Sequence, residues 1–244
     1  MAHFYLVDSL EGIASGSLLR VEGAEARHAA TVSRIRAGET VSVGDGRGTV
    51  ARGVVHAASA SALSIRVGRV EQTPQPEREI VLVQALAKGD RDELAVQAAT
   101  ELAVDRIVPW QAERSISRWS GPKADRGRER WQTIAREAVK QSLRPWQPVV
   151  EPLAGLADLV ALAATHALFV LEPTAETGIA EAVRATGERD IALVVGPEGG
   201  IASRELETLA AAGGTLVRLG PDVLRTSTAG PAALAALGVL TGRW

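Results

Sequence analysis

The alternation of apolar runs with helical segments after residue 79 constrains the fold more than any other feature of the sequence. "IVLVQAL" begins at Ile80 as a continuous apolar run, typical of a parallel strand buried on both faces, and a helical pattern begins at Asp90. The same succession of strand and helix recurs up to the closing segment "TSTAGPAALAALGVL". Repeated alternation of this kind predicts an α/β fold with a parallel sheet.

The first 72 residues have a different pattern. Short apolar runs such as "FYLV", "TVSV" and "ALSIRVGRV" are separated by turn residues, and "GDGRG" between two valine-rich runs predicts a hairpin. This pattern predicts a small β-barrel or sandwich over residues 1–72. Residues 73–79 are polar and contain two prolines, so we expect a linker there and a second domain over 80–244.

Composition excludes several classes of protein. The 244 residues contain no cysteine, which excludes disulfides, thiolate zinc sites and a cysteine nucleophile. The four histidines lack metal-binding spacing, so no metal site is predicted. Neither a signal peptide nor a run of about 18 apolar residues is present, so we expect a cytoplasmic protein that does not associate with a membrane.

Positive charge is concentrated in one segment. Residues 114–144 carry nine Lys/Arg against three Asp/Glu, a balance of +6, although the whole chain has a net charge of −2. A focused basic segment can attract a polyanion such as RNA. The alternative is an arginine-rich helix face that is merely solvated.

Two glycine-containing loops follow predicted strands. "LVVGPEGG" ends at Gly200 and "LGPDVLRTSTAG" ends at Gly230, and neither has the lysine of a phosphate-binding loop. Loops at neighbouring strand ends meet at the carboxyl edge of a parallel sheet, where their backbone amides and carbonyls could enclose an adenosine. We expect Ser203 to be the N-cap of the helix after the first loop, and the last helix to begin around Ser227 with a hydroxyl at its N-cap.

Five blocks of sequence together carry a resemblance to a known family. They are "RHAATVSRIRAGE" with the "GDGRG" hairpin, "KGDRDELAVQAATELAVDRIVPWQAERS", "REAVKQSLRPWQP", "VVGPEGGIASRELE" and "LGPDVLRTSTAGPAALAAL". In this order they resemble the RsmE family of 16S rRNA (uracil-N3)-methyltransferases, which belongs to the SPOUT superfamily. The resemblance implies a PUA-like β-barrel, a methyltransferase domain with a trefoil knot, the cofactor S-adenosyl-L-methionine, and a homodimer that acts on 16S rRNA in a small ribosomal subunit or its precursor.

The blocks that carry the resemblance contain the expected cofactor-binding and candidate catalytic residues, and the concentration of positive charge adds a set of expected RNA-binding residues. The expected cofactor-binding residues are Leu171, Glu172, Gly196, Pro197, Glu198, Gly199, Gly200, Ile201, Leu219, Gly220, Leu224, Arg225, Thr226, Ser227, Thr228 and Ala229. The candidate catalytic residues are Arg114, Arg136 and Arg225. The expected RNA-binding residues are His28, Arg34, Arg36, Arg114, Arg118, Lys123, Arg126, Arg128, Arg130 and Arg144.

The sequence departs from the family pattern at four positions. Ala98 stands where lysine is usual, Ala103 where the motif has glycine, and Lys140 and Ser227 where it has glutamate. Two of these positions, Lys140 and Ser227, lie near the expected substrate side.

Chemistry favours methyl transfer to nitrogen or oxygen. Methylation of uracil at C5 usually requires a cysteine nucleophile, which this chain lacks. An arginine directed at O2 and O4 would stabilise the anion formed when N3 loses its proton. A ribose 2'-O-methyltransferase and a non-catalytic RNA-binding module remain alternatives. The catalytic base is not assigned among Glu101, Glu137 and Glu198.

Two further expectations concern tryptophans and assembly. Trp131 lies at helical spacing from other apolar residues and is expected in the core, whereas Trp119 is a candidate for stacking on an RNA base. The segment "AALAALGVL" is apolar on all sides, which predicts a covered helix at a dimer interface. The resemblance implies that the basic blocks at 114–118 and 136–144 reach the cofactor loops of the partner chain.

Overall fold

The computed structural model describes residues 3–244, which form two compact units. The N-terminal unit contains residues up to Gln75 together with Val139–Gln147, and the C-terminal unit contains Pro76–Ala138 and Pro148–Trp244. The sequence predicts boundaries at 72 and 80 but does not predict that residues 139–147 group with the first unit.

The N-terminal unit is a five-stranded sheet with one helix. Its order is β1-β3-β4-β5-β2, in which β1 and β3 are parallel and the other pairs are antiparallel, and the ladder ends at β1 and β2. The sequence pattern does not reveal β2 or α1. The elements are β1 (His3–Leu6), β2 (Leu18–Glu22), α1 (Gly23–Thr31), β3 (Thr40–Gly44), β4 (Thr49–Ala58) and β5 (Ala62–Gln72).

The turn of the β3–β4 hairpin explains why a distant segment joins this unit. The Asp45 carboxylate accepts the N–H of Arg47 at 2.8 Å and thereby closes the turn. The Gly48 N–H donates to the Pro145 carbonyl at 2.9 Å, and the Gln147 N–H donates to the Gly46 carbonyl at 3.0 Å. Residues 145–147 therefore lie beside the turn, where Trp146 forms an antiparallel bridge with Arg47.

The C-terminal unit is a six-stranded, all-parallel sheet, which confirms the predicted α/β class. Its order is β11-β9-β10-β6-β7-β8. The strands are β6 (Ile80–Ala85), β7 (Arg106–Trp110), β8 (Val149–Val150), β9 (Ala167–Leu171), β10 (Ile191–Val195) and β11 (Thr215–Val217). The helices are α2 (Arg91–Glu101), α3 (Pro122–Ser142), α4 (Leu156–Ala163), α5 (Ile179–Thr186), α6 (Ser203–Ala211) and α7 (Thr226–Leu240). The residues of α3 from Val139 onward group with the N-terminal unit.

The sheet has a hydrophobic core on each face, because alternate residues of a strand point to opposite sides. Leu82 contributes to one core together with Trp131, and Val83 contributes to the other together with Trp110. Trp131 is 1% exposed, as the spacing predicts. Trp119 is also buried, with its ring packed edge-on against that of Trp131 at a centroid distance of 5.2 Å. The candidate role of Trp119 in stacking on an RNA base is therefore wrong.

The two helices that follow the glycine loops lack the side-chain caps that the sequence predicts. Helix α6 begins at Ser203 rather than after it, and the Glu205 carboxylate accepts the Ala202 N–H at 3.1 Å. Helix α7 begins at Thr226, with Arg225 as the N-cap and no capping side chain. The predicted hydroxyl caps are wrong because these serines already have helical backbone geometry. No helix within residues 3–244 is long and apolar enough to cross a membrane.

Candidate functional site

A cavity of about 420 Å³ opens at the carboxyl edge of the sheet of the C-terminal unit. It lies among the ends of β9, β10 and β11 and the start of α7, and both glycine loops form its walls. Of the expected cofactor-binding residues, those that line it are Leu171, Glu172, Gly196, Pro197, Glu198, Gly200, Ile201, Leu219, Gly220, Leu224, Arg225, Thr226 and Ala229. Gly199, Ser227 and Thr228 are not among the residues that line it.

The first glycine loop turns tightly after β10. A Cβ on Gly196 would lie 2.7 Å from Cγ1 of Ile201, so no larger residue fits without displacing that side chain. The Gly200 N–H donates to the Pro197 carbonyl at 2.9 Å, and Gly200 has a φ of +73°, in the region that favours glycine. The loop therefore presents mostly backbone to the cavity.

Glu198 is a fixed, ionised group in the cavity wall. Its Oε1 accepts the Lys88 N–H at 3.0 Å and Nη1 of Arg91 at 2.9 Å. Partial burial raises the pKa of Glu198, but the hydrogen bonds from backbone amides and from Arg91 lower it more, so the net pKa lies below the ordinary value. A carboxylate that is ionised at neutral pH can accept a hydroxyl or attract a cation, but it is a weak base. The sequence pattern did not reveal the contribution of Arg91, which also lines the cavity.

Thr226 joins the two loops. Its Oγ1 donates to the Gly196 carbonyl at 2.8 Å and accepts Nε2 of Gln84 at 2.9 Å. The sequence analysis did not single out Gln84. The available signal was its position as the one polar residue in "IVLVQAL", because a buried amide requires hydrogen-bond partners.

The three candidate catalytic arginines occupy different places. Arg225 lines the cavity, and Arg114 lies beside the glycine loop, where its Nη1 donates to the Gly199 carbonyl at 3.2 Å. A Cβ on Gly199 would be only 3.3 Å from Cβ of Arg114. Arg136 is half-buried on α3 and does not line the cavity. Arg114 thus contacts the loop of its own chain, whereas the sequence analysis predicts contact with the loop of a partner.

Comparison with known proteins places the chain in a family. A family model for an RNA methyltransferase domain matches residues 73–238, and one for an RNA methyltransferase PUA domain matches residues 21–68. A relative from Mycobacterium tuberculosis named ribosomal RNA small subunit methyltransferase E is 43% identical in an alignment 249 positions long, which covers 100% of this chain and 94% of the relative. The chain belongs to the ribosomal RNA small subunit methyltransferase E family. The resemblance drawn from the sequence motifs is thereby confirmed.

More distant relatives match this chain over nearly their full length, and two of them have solved structures with a similar fold. The Bacillus subtilis protein of the same name is 29% identical and covers 99% of this chain and 97% of its own. The crystal structure of the Neisseria gonorrhoeae ribosomal RNA small subunit methyltransferase E bound to S-adenosyl methionine is 26% identical, with a TM-score of 0.87 and 98% of both chains covered. A putative methyltransferase from Legionella pneumophila in complex with the cofactor SAM is also 26% identical, with a TM-score of 0.86 and the same coverage.

The structure shows the surroundings of the four residues that depart from the methyltransferase E pattern. Ala103 has a φ of +64°, so this chain places alanine in a backbone conformation that suits the glycine of the family motif. Lys140 pairs with Glu25 at 3.3 Å inside the N-terminal unit, where both side chains are nearly buried. Ser227 does not line the cavity, and Ala98 is half-buried on α2.

Several expected RNA-binding residues of the C-terminal unit already have partners. Nη2 of Arg118 donates to the Glu113 carbonyl at 2.6 Å, and Nε of Arg128 donates to the Val150 carbonyl at 2.8 Å. Arg130 forms an exposed ion pair with Glu93 at 2.9 Å, and the hydrogen bond to this carboxylate raises the pKa of Arg130. By contrast, two exposed cations of the same segment make no ion pair or side-chain hydrogen bond within residues 3–244. They are Lys123 and Arg126.

The expected RNA-binding residues of the N-terminal unit are mostly exposed. His28 lies on α1, and Arg34 and Arg36 flank the buried Ile35 just after this helix. Arg34 has a φ of +50°, an uncommon backbone conformation for a side chain of its size. Arg144 is half-buried within this unit and is engaged in a contact.

One cluster at the amino edge of the sheet, opposite the cavity, has the composition of a metal site. Glu79, His166 and Asp190 offer ligand atoms that lie within 4.8 Å of one another. However, Nη2 of Arg106 lies 2.8 Å from Oε2 of Glu79 and 3.2 Å from Nε2 of His166. The guanidinium therefore supplies the positive charge at this cluster, and the arrangement fits an ion-pair network better than a metal centre.

Proposed function

We propose that this protein methylates N3 of a uridine in 16S rRNA, using S-adenosyl-L-methionine and acting in the cytoplasm on the small ribosomal subunit or its precursor. The observation that carries the proposal is the cavity between the two glycine loops, with Arg225 in its wall and Arg114 beside the loop. Family membership over the full chain and the cofactor-bound relatives support it.

The cavity fits the proposed cofactor. Its volume of about 420 Å³ is in the range of small-molecule sites, and Leu171, Ile201 and Leu219 offer apolar surface for a base. The backbone of Gly196 and Gly220 would hold polar edges of the ligand. The ionised Glu198 would accept a ribose hydroxyl or face a positive charge. When bound there, the cofactor supplies an electrophilic methyl group.

The arginines near the cavity would bind and activate the uracil. Arg225 makes no ion pair within residues 3–244, so its charge is available to the O2 and O4 oxygens as N3 loses its proton. Arg114 is held by the Gly199 carbonyl and would contribute charge from the neighbouring loop. Glu198 is unsuited to be the base because its lowered pKa makes it a poor proton acceptor.

Nucleoside mass analysis of small-subunit rRNA from a deletion strain tests this function. Loss of 3-methyluridine, with recovery when the gene is restored, is the expected result. Loss of a ribose-methylated nucleoside would instead identify a 2'-O-methyltransferase. Unchanged nucleosides would identify a non-catalytic RNA-binding module.

RNA binding is proposed to depend on the cations that lack protein partners. Replacement of Lys123 and Arg126 by alanine is expected to reduce the slope of log affinity against log salt by up to about two units, because each phosphate contact contributes about one. The matched replacement of Arg128 and Arg130, which already have partners, should change the slope by less. Equal slopes for the two double variants, measured by salt titration, would contradict this assignment.

We also propose a homodimer and a trefoil knot, both of which the resemblance implies. Val239, Leu240 and Trp244 at the end of the chain are exposed, which supports an apolar contact surface there. For the knot, support comes from the path after β11, where Arg218 pairs with Gly178 before the chain returns to Thr226 beside the central strand β6. Sedimentation at micromolar concentration should give twice the chain mass of 25.6 kDa. A fully active monomer would contradict the proposed dimer.

A further inference from the structure

Gln84 is an unusual residue for its position. It lies near the end of the central strand β6, on the same side as Ile80 and Leu82, both of which belong to the hydrophobic core. Its exposure is 0%. An amide at a fully buried strand position loses its hydration, so an apolar residue would fit the surrounding core better unless the amide has a specific task.

The amide forms the first member of a chain of hydrogen bonds. Nε2 of Gln84 donates to Oγ1 of Thr226 at 2.9 Å, and to the Ala85 carbonyl at 3.2 Å. Oγ1 of Thr226 in turn donates its only proton to the Gly196 carbonyl at 2.8 Å. A hydroxyl that donates to one group and accepts from another has a fixed orientation. These two hydrogen bonds thus connect strand β6, the first residue of α7 and the first residue of the glycine loop.

The helix approaches the strand closely at this point. A Cβ on Gly230 would lie 3.2 Å from Cδ1 of Leu82 and 3.5 Å from Oε1 of Gln84, so the glycine provides the space that the glutamine occupies. Oε1 of Gln84 itself is buried and accepts no hydrogen bond within residues 3–244. Leaving a buried acceptor unpaired is costly. The hydrogen bonds of this side chain are thus made by its Nε2 alone.

We propose that Gln84 is a positioning residue for the cofactor cavity. Gln84 does not line the cavity, whereas Thr226 and Gly196 both do and belong to different loops. By fixing the hydroxyl between them, the amide sets the distance between the two walls before any ligand arrives. Such preorganisation increases affinity because binding no longer has to order the loops. The inference rests on the proposed function in that the cavity is taken to bind S-adenosyl-L-methionine.

The replacement Gln84→Leu tests the role because it preserves the approximate size and removes the amide. Calorimetry should show the dissociation constant for S-adenosyl-L-methionine rising about tenfold, since Thr226 is left with an unfilled acceptor and the loops become less ordered. The kcat at saturating cofactor should change much less. A purely structural role would lower thermal stability and leave the cofactor affinity of the folded fraction unchanged.

Gln132→Leu is the matched control. The amide of Gln132 also bridges two groups within the C-terminal unit, since it donates to the Pro148 carbonyl at 3.0 Å and accepts the Val150 N–H at 2.9 Å. Its partners lie at strand β8, at the other side of the sheet from β11. The control should lose stability without loss of cofactor affinity.

Hydrogen exchange provides a second readout that needs no cofactor. In the ligand-free protein, Gln84→Leu should speed amide exchange in both 196–200 and 226–230, whereas Gln132→Leu should not. If Gln84→Leu does not fold, Thr226→Val removes the hydroxyl at constant size and should give the same two effects. The double variant should lose little more cofactor affinity than the more affected single variant, because both replacements break the same series of hydrogen bonds from Gln84 through Thr226 to Gly196.

The outcomes separate this proposal from the proposed function. Wild-type cofactor affinity together with wild-type exchange in a folded Gln84→Leu variant would overturn the positioning role. If the wild-type protein binds no S-adenosyl-L-methionine, the proposed cofactor is wrong, and exchange in the two loops still decides whether Gln84 holds them together.

Discussion

The two edges of the parallel sheet in the C-terminal unit are built in opposite ways. The amino edge is closed by charged side chains that bind one another and the backbone, among them Glu79, Asp105, Arg106 and Arg243. The carboxyl edge is formed by glycine loops and surrounds a cavity of about 420 Å³. The same sheet thus has a network of ion pairs at its amino edge and the cavity at its carboxyl edge.

Asp105 shows how the amino edge is closed. Its Oδ2 accepts the Ile80 N–H at 2.7 Å and Nη2 of Arg243 at 2.5 Å, and both charged side chains are largely buried. Arg243 also donates to the carbonyls of Ala103 and Arg78. Side chains therefore satisfy backbone groups at this edge, whereas at the carboxyl edge the two glycine loops line the cavity.

The largest effect on stability is expected when the ion pair between Asp105 and Arg243 is removed. Asp105→Ala should lower the free energy of unfolding by about 3 kcal/mol, because it leaves Arg243 buried without its partner. Denaturant unfolding measures the change. The affinity of the folded variant for S-adenosyl-L-methionine should be that of the wild type, and a parallel fall in affinity would show that the two edges are not independent.

A substitution at the carboxyl edge should lower cofactor affinity more than it lowers stability. Gly200→Ala should lower cofactor affinity about fivefold, because a left-handed conformation costs an alanine roughly 1 kcal/mol and the loop will shift to relieve it. A Cβ at Gly200 meets no atom within 4 Å, so the core is not disturbed. Calorimetry gives the affinity. If Gly200→Ala lost as much stability as Asp105→Ala, the proposed difference between the two edges of the sheet would be contradicted.

Acid should weaken the amino edge through Glu79. Burial raises the pKa of Glu79, but its bonds with Arg106 and His166 lower it more, so the net pKa lies below 4.5. A lowered folded pKa means that the stabilisation is present above pH 4.5 and is lost as the pH falls through the folded pKa. Glu79→Gln should therefore be less stable near neutral pH and lose less stability on acidification, as urea titrations at several pH values would reveal.

The smallest effect is expected at Glu198. Glu198→Gln retains an acceptor for the Lys88 N–H and loses only a partly exposed pair with Arg91, so stability should change by less than about 0.5 kcal/mol. Cofactor affinity should fall about threefold through the lost charge, since the glycine backbone of the cavity is unchanged. Loss of more than 100-fold in calorimetry would mean that Glu198 binds the cofactor far more directly than this geometry implies.

Tertiary structure also decided which cations of the basic segment are left without a protein partner and so could contact RNA. The sequence shows a basic segment, but Arg128 and Arg130 differ from Arg126 only through their neighbours Val150 and Glu93, which are distant along the chain. The same holds for Trp119, which is hidden by Trp131 and so is not available to a base. Side-chain availability depends on long-range packing, which local patterns do not encode.

The sequence by itself determined the α/β class, the parallel sheet and the two loops that meet at the cavity. It could do so because strand burial and helix periodicity are local patterns, and because glycine marks tight turns wherever they occur. Only the tertiary structure decided that residues 139–147 join the N-terminal unit, that Arg114 contacts its own glycine loop, and that Gln84 reaches Thr226. The last pair lies 142 positions apart in the chain. Contacts at such separation arise only when the strands and helices have packed, because hydrogen bonds depend on distance and direction in space and not on order along the sequence.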